Sequence, residues 1–318
     1  MINSKVLVIG DICVDKFVQG SVHRISPEAP VPVFNFSRES QYVGCAANVA
    51  ISLSRLGLEV DLISLFANDP DGNFVMDKMI SEKVGIENTI QENPSDDFFT
   101  SIKTRIVSDS HHICRIDKEP NPKFVKKLIN ENFFLRKLDK INHKDYELVI
   151  ISDYGKGIIN NESYKLINEL IKVPLVVDPK PSNKLVYKNS FIVKPNLREL
   201  VELLDFDYNF EFDNISRVVY CTKNYIKKNN IKNIIVTDGS NGSYLINEEQ
   251  FIHYPAQKVE VYDVSGAGDS FLSALVFGYI FKKNLSQSIE FANKAASTTI
   301  IHSGTTPLQQ EDIEKLGI

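Results

Sequence analysis

Tyr262-Asp263-Val264-Ser265-Gly266-Ala267-Gly268-Asp269-Ser270-Phe271 passes from a β-like run through small residues into an apolar helix. Glycines let backbone N–H groups approach an anion with no Cβ in the way, and a helix N-terminus adds partial positive charge. Gly266, Ala267 and Gly268 are therefore the candidate anion-binding amides. Asp269 stands where a simple anion site would avoid negative charge. Catalysis explains the exception: a carboxylate there can take the proton of a substrate hydroxyl while the turn stabilises charge developing on phosphate oxygens. An N-cap aspartate on a packed helix accounts for the same residues equally well. The stretch is not a P-loop, which needs G-x-x-x-x-G-K-[ST], nor a dinucleotide fingerprint, because Phe271 stands at the last glycine position.

Outward from this stretch, short apolar runs alternate with helical patterns. Val6 to Ile9, Leu148 to Ile151, Leu175 to Val177, Phe191 to Val193 and Ile234 to Val236 read as buried parallel strands. Asn48 to Leu56, Asn73 to Lys83, Lys123 to Leu138, Ser163 to Ile171, Ser216 to Lys228 and Asp269 to Phe281 read as covering helices. The fold class is α/β. Two β-prone stretches break the alternation: Phe17 to Phe36, with prolines at 27, 30 and 32, and Phe98 to Asp117, turning around Ser108-Asp109-Ser110. Because they leave and re-enter between core elements, they are expected to form a small lid, over about 12–37 and 95–118, on a single domain spanning 1–318. Surface hairpins without function are the plainer alternative.

Composition sets the outer bounds. The 318-residue chain is 43% hydrophobic and 24% charged, which supports a large core and argues against disorder or a coiled coil. Its net charge is −5 and its basic residues are scattered, which argues against a nucleic-acid surface. Cys13, Cys45, Cys114 and Cys221 lie far apart with no C-x-x-C pair, so a zinc site is not expected and a reduced, cytoplasmic compartment is. Met1 to Lys5 runs straight into Val6 without a basic n-region, and no stretch approaches the ~20 apolar residues of a membrane span.

Gly44-Cys45-Ala46-Ala47-Asn48-Val49-Ala50, followed by Leu56-Gly57, together with Asp263 to Val276, resembles the paired signatures of the ribokinase-like (PfkB) carbohydrate kinase family. The resemblance covers essentially the whole chain. It implies a three-layer α/β/α fold with a mostly parallel central sheet and a small β-rich lid, and an enzyme that uses ATP and Mg2+. It makes Asp269 the general base and the Gly266, Ala267 and Gly268 amides the anion hole. Asn196-Leu197-Arg198-Glu199 resembles the family's N-x-x-E element, so Asn196 and Glu199 are expected to position magnesium, largely through water. The same spacing also describes a helix cap with glutamate at N3. Thr237, Gly239 and Gly242 resemble the strand-end turn beside the nucleotide. Asn293, with Ser297, is a candidate for the adenine pocket or for a polar helix face. Lys194 is a candidate for a phosphate oxygen or a surface ion pair.

Arg24-Ile25-Ser26-Pro27-Glu28-Ala29-Pro30-Val31-Pro32-Val33, preceded by Gly10 to Asp15, resembles one subgroup, the kinases of D-glycero-β-D-manno-heptose 7-phosphate. Ser152 to Gly157 and Val177 to Lys180 are similar to its internal elements. The resemblance implies phosphorylation of the anomeric hydroxyl to heptose 1,7-bisphosphate, for ADP-heptose and lipopolysaccharide core. A separate heptose 1-phosphate adenylyltransferase is expected, because no H-x-G-H motif is present. Such a substrate needs groups for its hydroxyls and cations for its phosphate. Asp11, Asp15 and Asn48, with Gly44, are the hydroxyl-side candidates; Lys156, Lys180, Arg105 and Arg115 are the cationic ones; Asp153 and Asp178 are strand-end candidates that could equally cap loops. His111-His112 in the lid reads as an exposed polar face.

The family commonly has Gly-Gly where this chain has Gly44-Cys45. A negative φ at Cys45 would leave the sugar site intact, and a positive φ would strain it and put sugar contact there in doubt. A homodimer through lid strands is expected, and monovalent-ion activation is left open. A kinase for another sugar phosphate or a nucleoside, and a binding regulator without chemistry, remain alternatives.

Overall fold

The computed structural model describes residues 4–108, 111–130, 133–205, 215–261, 263–282, 284–301 and 306–317. Along the chain run β1 (Lys5–Gly10), β2 (Ile12–Ile25), β3 (Pro32–Cys45), α1 (Ala46–Arg55), β4 (Glu59–Ile63), β5 (Leu65–Ala67), α2 (Pro70–Ser81) and β6 (Ile90–Glu92). Then come β7 (Ile102–Ser108), β8 (His111–Lys118), α3 (Pro122–Asn130), α4 (Phe133–Lys140), β9 (Leu148–Ser152), α5 (Asn161–Leu170), β10 (Leu175–Asp178) and β11 (Ile192–Val193). The last part holds α6 (Leu197–Leu203), α7 (Ile215–Asn229), β12 (Asn233–Thr237), β13 (Ser243–Ile246), β14 (Phe251–Tyr254), α8 (Ala267–Lys282), α9 (Leu285–Thr299) and α10 (Gln310–Leu316).

The main sheet has the order β14-β13-β12-β11-β10-β9-β1-β4, parallel from β12 to β4 and antiparallel at β13 and β14. Alternation along β1 shows why it is sandwiched. Val6 and Val8 enter one core with residues of α1, α8 and α9, while Leu7 and Ile9 enter the other with residues of α3, α5 and α7. Helices thus cover both faces, giving an α/β/α arrangement. Helix α8 is apolar on every side, and it is buried because α1, α9 and the sheet enclose it.

A second sheet, β3-β2-β7-β8, stands apart from the first, and β5 pairs with β6 in a third. One strand of the second sheet outruns the expected lid: β2 starts at Ile12, as expected, but β3 runs on to Cys45, past the bound at about 37. Asp109 and Ser110, expected at a turn, lie outside the described residues. The single helix expected from Lys123 to Leu138 is two, α3 and α4, with 131 and 132 outside the described residues. Strands β4, β5 and β6 and the β13–β14 pair were not among the expected strands; β4 and β14 are edge strands, so polar residues such as Glu59 and His253 belong there.

The helices on the α1 face are tied by charge as well as apolar contact. Arg55, ending α1, donates from Nε to Glu82 Oε2 (2.9 Å) and from Nη2 to Oε1 (2.6 Å), and Lys78 adds a contact of 2.9 Å. These partners, Arg55 first, pull the Glu82 carboxyl down to about 2. Its folded-state pKa lies below the unfolded one, so its stabilisation is present above the ordinary glutamate range and is lost as pH falls through about 2. Glu82→Gln should cost about 1.5–3 kcal/mol in urea melts at neutral pH, and the gap to wild type should shrink as pH drops toward that value. A gap that stays constant across that range would refute the assignment.

Candidate active site

Parallel strands end together, so the residues just beyond their carboxyl ends converge on one crevice. Asp11 follows β1, Asp153 follows β9, Asp178 ends β10, Lys194 follows β11 and Thr237 ends β12. Helix α8 points its N-terminus here. Gly266 has φ +82°, a turn open to glycine, and the Gly266 and Gly268 N–H groups find no protein acceptor among the described residues. The Ala267 N–H is already engaged, donating to the Val264 carbonyl at 3.3 Å.

Asp269 is buried and holds two donors: Asn48 Nδ2 to Oδ2 at 2.7 Å and Tyr154 Oη to Oδ1 at 2.5 Å. Burial pushes its carboxyl above the ordinary range, against the pull of Asn48 and Tyr154. A base with a raised pKa accepts a proton more readily at neutral pH. Asn48 Oδ1 is buried with no hydrogen-bond partner among the described residues, an acceptor open to a ligand hydroxyl.

The other carboxylates are occupied differently. Asp11 accepts the backbone N–H groups of Tyr154 (2.9 Å), Lys156 (3.1 Å) and Ile158 (3.2 Å), so it shapes the loop after β9. Asp153 accepts from Gly155 N, Asn183 Nδ2 and Tyr187 Oη, and burial with the Asp11 charge pushes it up to about 7. Asp178 pairs with the buried Lys194 at 3.0 Å. Burial pushes Asp178 up to about 7, while Asp178, Glu199 and Asp269 together hold Lys194 above its ordinary value. The Lys194 contact opposes the rise at Asp178, and Asp178 takes up its proton as pH falls through about 7. Lys194 Nζ lies 3.7 Å from where a Cβ on Gly268 would be, beside the glycine turn.

On the nucleotide side, Asn196 caps α6: its Oδ1 accepts from Glu199 N and Glu199 Oε2 accepts from Asn196 N, both at 2.9 Å. The Glu199 charge also acts on Asp178 and Lys194. Among the described residues no group of three or more His, Cys, Asp or Glu could cage a metal; Asn196 and Glu199 offer hard oxygens of the kind that suit a cation keeping most of its own waters. Asn196 bridges Thr237, and Gly239 to Gly242 form the turn after β12. Asn293 donates to the Tyr254 carbonyl at 3.0 Å, the same oxygen that a Cβ on Gly242 would strike.

The second sheet faces this crevice with alternating charge. Register places Asp15 of β2, Lys103 and Arg105 of β7, and Arg115 and Asp117 of β8 on one face. Arg105 pairs with Asp15 and lies 5.1 Å over the Phe17 ring. Lys103 Nζ lies 5.8 Å over the Tyr154 ring, and Lys156 pairs with Glu119. Arg115 is exposed and bound to Asp117, so it stands at the rim. Lys180 flanks the Gly155 turn, its Cγ 3.3 Å from where a Gly155 Cβ would lie. Cys45 has φ +59° and ψ −137°, the strained alternative, and Gly44 beside it is packed against Asp15 and Cys13. His111 and His112 are exposed.

Tyr154, Lys103 and Glu119 were not singled out from sequence. Only the position of Tyr154 after a strand-end Asp hinted at its contact with Asp269, because the pairing needs the whole fold.

A model of the pfkB family of carbohydrate kinases matches residues 3–312. The bifunctional protein HldE of Campylobacter curvus is 33% identical over 316 residues, covering 98% of this chain and 64% of that protein. HldE of Nitratiruptor is 33% identical over 311 residues, with 98% and 64% coverage. The chain thus spans 64% of the length of these relatives. Phosphofructokinase-2 of Escherichia coli, solved with substrates and products, has a TM-score of 0.76 at 18% identity, covering 99% of this chain and 98% of that one. Ribokinase of Thermotoga maritima has a TM-score of 0.74 at 18% identity, covering 98% of both. The fold is therefore ribokinase-like.

Removing the phenol donor should raise the Asp269 pKa further. Tyr154→Phe is expected to move the acid limb of the pH–rate profile to higher pH, since the carboxylate must be ionised to take a proton. An unmoved or downward-shifted limb would remove Tyr154 from the account.

Proposed function

Because the chain belongs to the pfkB family of carbohydrate kinases and is an ATP-dependent sugar kinase, we propose that its acceptor is the anomeric hydroxyl of D-glycero-β-D-manno-heptose 7-phosphate. The product is heptose 1,7-bisphosphate, on the route to ADP-heptose and lipopolysaccharide core. The observation that carries the reading is one buried carboxylate, Asp269, between the glycine turn with Lys194 and a lid face of alternating charge that presents Lys103 and Arg105. A neutral sugar needs acceptors for hydroxyls but no lid cations; a sugar that already carries a phosphate needs both.

In this reading the acceptor hydroxyl lies against Asp269, which takes its proton as the phosphoryl group transfers. Asn48 fixes the carboxylate and offers Oδ1 to a neighbouring hydroxyl. The Gly266 and Gly268 amides and Lys194 stabilise charge on the transferring group. Lys156, freed from Glu119, and Lys103 with Arg105 receive the distal phosphate, while Lys180 flanks the same loop. Thr237, Gly239, Gly242 and Asn293 line the nucleotide side. Asn196 and Glu199 would hold magnesium through its waters, and when bound it neutralises phosphate charge. The second sheet, β2, β3, β7 and β8, is the lid that excludes water. Its exposed Ile25, Phe36, Ile113 and Ile116 support a homodimer through the lid. A cytoplasmic location follows from the use of ATP and is compatible with four free cysteines.

Phosphorus NMR of the product, with heptose 7-phosphate, fructose 6-phosphate and ribose as competing acceptors, should show selective formation of the 1,7-bisphosphate. Turnover only on another acceptor would keep the kinase and discard the heptose; none on any acceptor would favour a binding protein. Asp269→Asn should keep the fold and ATP binding while lowering kcat by about 10²–10⁴. Near-normal turnover in that variant would sink the base assignment.

A further inference from the structure

Cys13 and Cys45 are both buried free thiols whose sulfurs stand 3.1 Å apart. Regular strand geometry would not bring them together. Cys13 pairs with Gly44 and Ile12 with Cys45, and successive side chains on a strand point to opposite faces, so Cys45 would face away from Cys13. The backbone at Cys45, φ +59° and ψ −137°, turns its side chain back over the Cys13 face. Glycine at 44 keeps that face clear: a Cβ there would fall 2.8 Å from Cys13 Sγ and 2.4 Å from Asp15 Oδ2. Simple core packing gives no reason for a side chain at a strained position that glycine would occupy without cost.

The pair also lies at the sugar side of the crevice. Cys13 Sγ is 3.9 Å from Asp15 Oδ2, and the Lys103 charge acts on both sulfurs. Cys45 is the N-cap residue of α1, one turn before Asn48, which holds Asp269.

We propose that Cys13 and Cys45 form an oxidative modification site, closing to a disulfide under a small peroxide and thereby displacing the α1 N-terminus that carries Asn48. The chemistry balances within the pair and the oxidant. One sulfur attacks a peroxide oxygen, the O–O bond breaks, water leaves and a sulfenic acid forms. The second sulfur attacks the sulfenic sulfur, the S–S bond forms and a second water leaves. Two thiols lose two electrons and two protons, and one hydrogen peroxide becomes two waters. The sulfurs must approach by about 1 Å to reach bonding distance, and the strained Cys45 backbone is the part that moves. The residues are 1% and 3% exposed, which excludes a peptide-sized disulfide and leaves a peroxide, the smaller oxidant, to enter by local opening. Burial pushes the Cys45 thiol up, with Cys13 adding to the shift, so the resting pair reacts slowly and needs excess oxidant.

Only the effect on turnover rests on the kinase reading; the bond itself does not. The full chain, reduced and then exposed to hydrogen peroxide, is alkylated, digested and mapped by mass spectrometry. A Cys13–Cys45 linked peptide is expected, together with loss of two hydrogens from the intact mass, both reversed by dithiothreitol. Recovery of the two cysteines as separate alkylated or over-oxidised peptides, at doses that oxidise the exposed Cys114, would overturn the site whether or not an acceptor is known. Turnover, measured against each protein's own untreated sample, should fall with the linked fraction and recover on reduction. Cys45→Gly should resist the same treatment. A fully linked chain with undiminished turnover, or equal inactivation of Cys45→Gly, would overturn control of the site.

Discussion

One buried hydrogen bond, from Asn48 Nδ2 to Asp269 Oδ2, connects residues 221 apart in the chain and fixes the carboxylate at the mouth of the crevice. It requires α1 and α8 to pack side by side, and they do so within one apolar core to which Ala47, Ile51, Leu272 and Leu275 belong. Packing sets the register of the two helices, and register sets the hydrogen bond. A carboxylate sealed from water without donors would be costly and neutral; with Asn48 and Tyr154 it is held in one orientation and remains able to ionise. The glycine turn before α8 then lies beside it by covalent connection.

The same contact explains why the two sequence signatures occur at opposite ends of the chain. Gly44 to Ala50 joins the second sheet to α1, and Asp263 to Val276 brings the glycine turn into α8. Each is small and apolar because two helices and a sheet meet there. Those features were legible in the sequence: the buried parallel strands, the strand-end residues, the glycine turn with its aspartate, and the β-prone stretches outside the main sheet. Each leaves a local mark, either an apolar run or a turn residue. Tyr154 and Lys103 left none, since a phenol reaching a carboxylate 115 positions away is a product of topology. The conformation of Cys45 was also beyond sequence, because the residue type argues against the backbone it adopts.

Asn196 and Glu199 show how a motif can carry two meanings at once. Read locally, they are a capping box, and the reciprocal hydrogen bonds are present. Read in the fold, the cap holds the Glu199 charge close enough to act on Lys194 and Asp178. The cap is the means by which a short helix is held with its carboxylate near the crevice, so structural and functional readings do not compete there.

Four aspartates, 11, 153, 178 and 269, gather at this end of the sheet, and their partners separate their roles. Asp11 is committed to three backbone N–H groups, and Asp153 to an N–H, an amide and a phenol. Withdrawing either from those donors would release the loop that carries Tyr154 and Lys156. Asp178 is neutralised by a lysine 3.0 Å away, and its charge keeps that lysine cationic beside the glycine turn. Asp269 alone has one donor on each oxygen, neither of them a backbone group that a loop depends on, and so has acceptor capacity to spare. A carboxylate oxygen accepts more than one hydrogen bond, so an incoming hydroxyl can be received without breaking the supports. Burial raises all four, so it is the arrangement of donors, not the depth of burial, that distinguishes them.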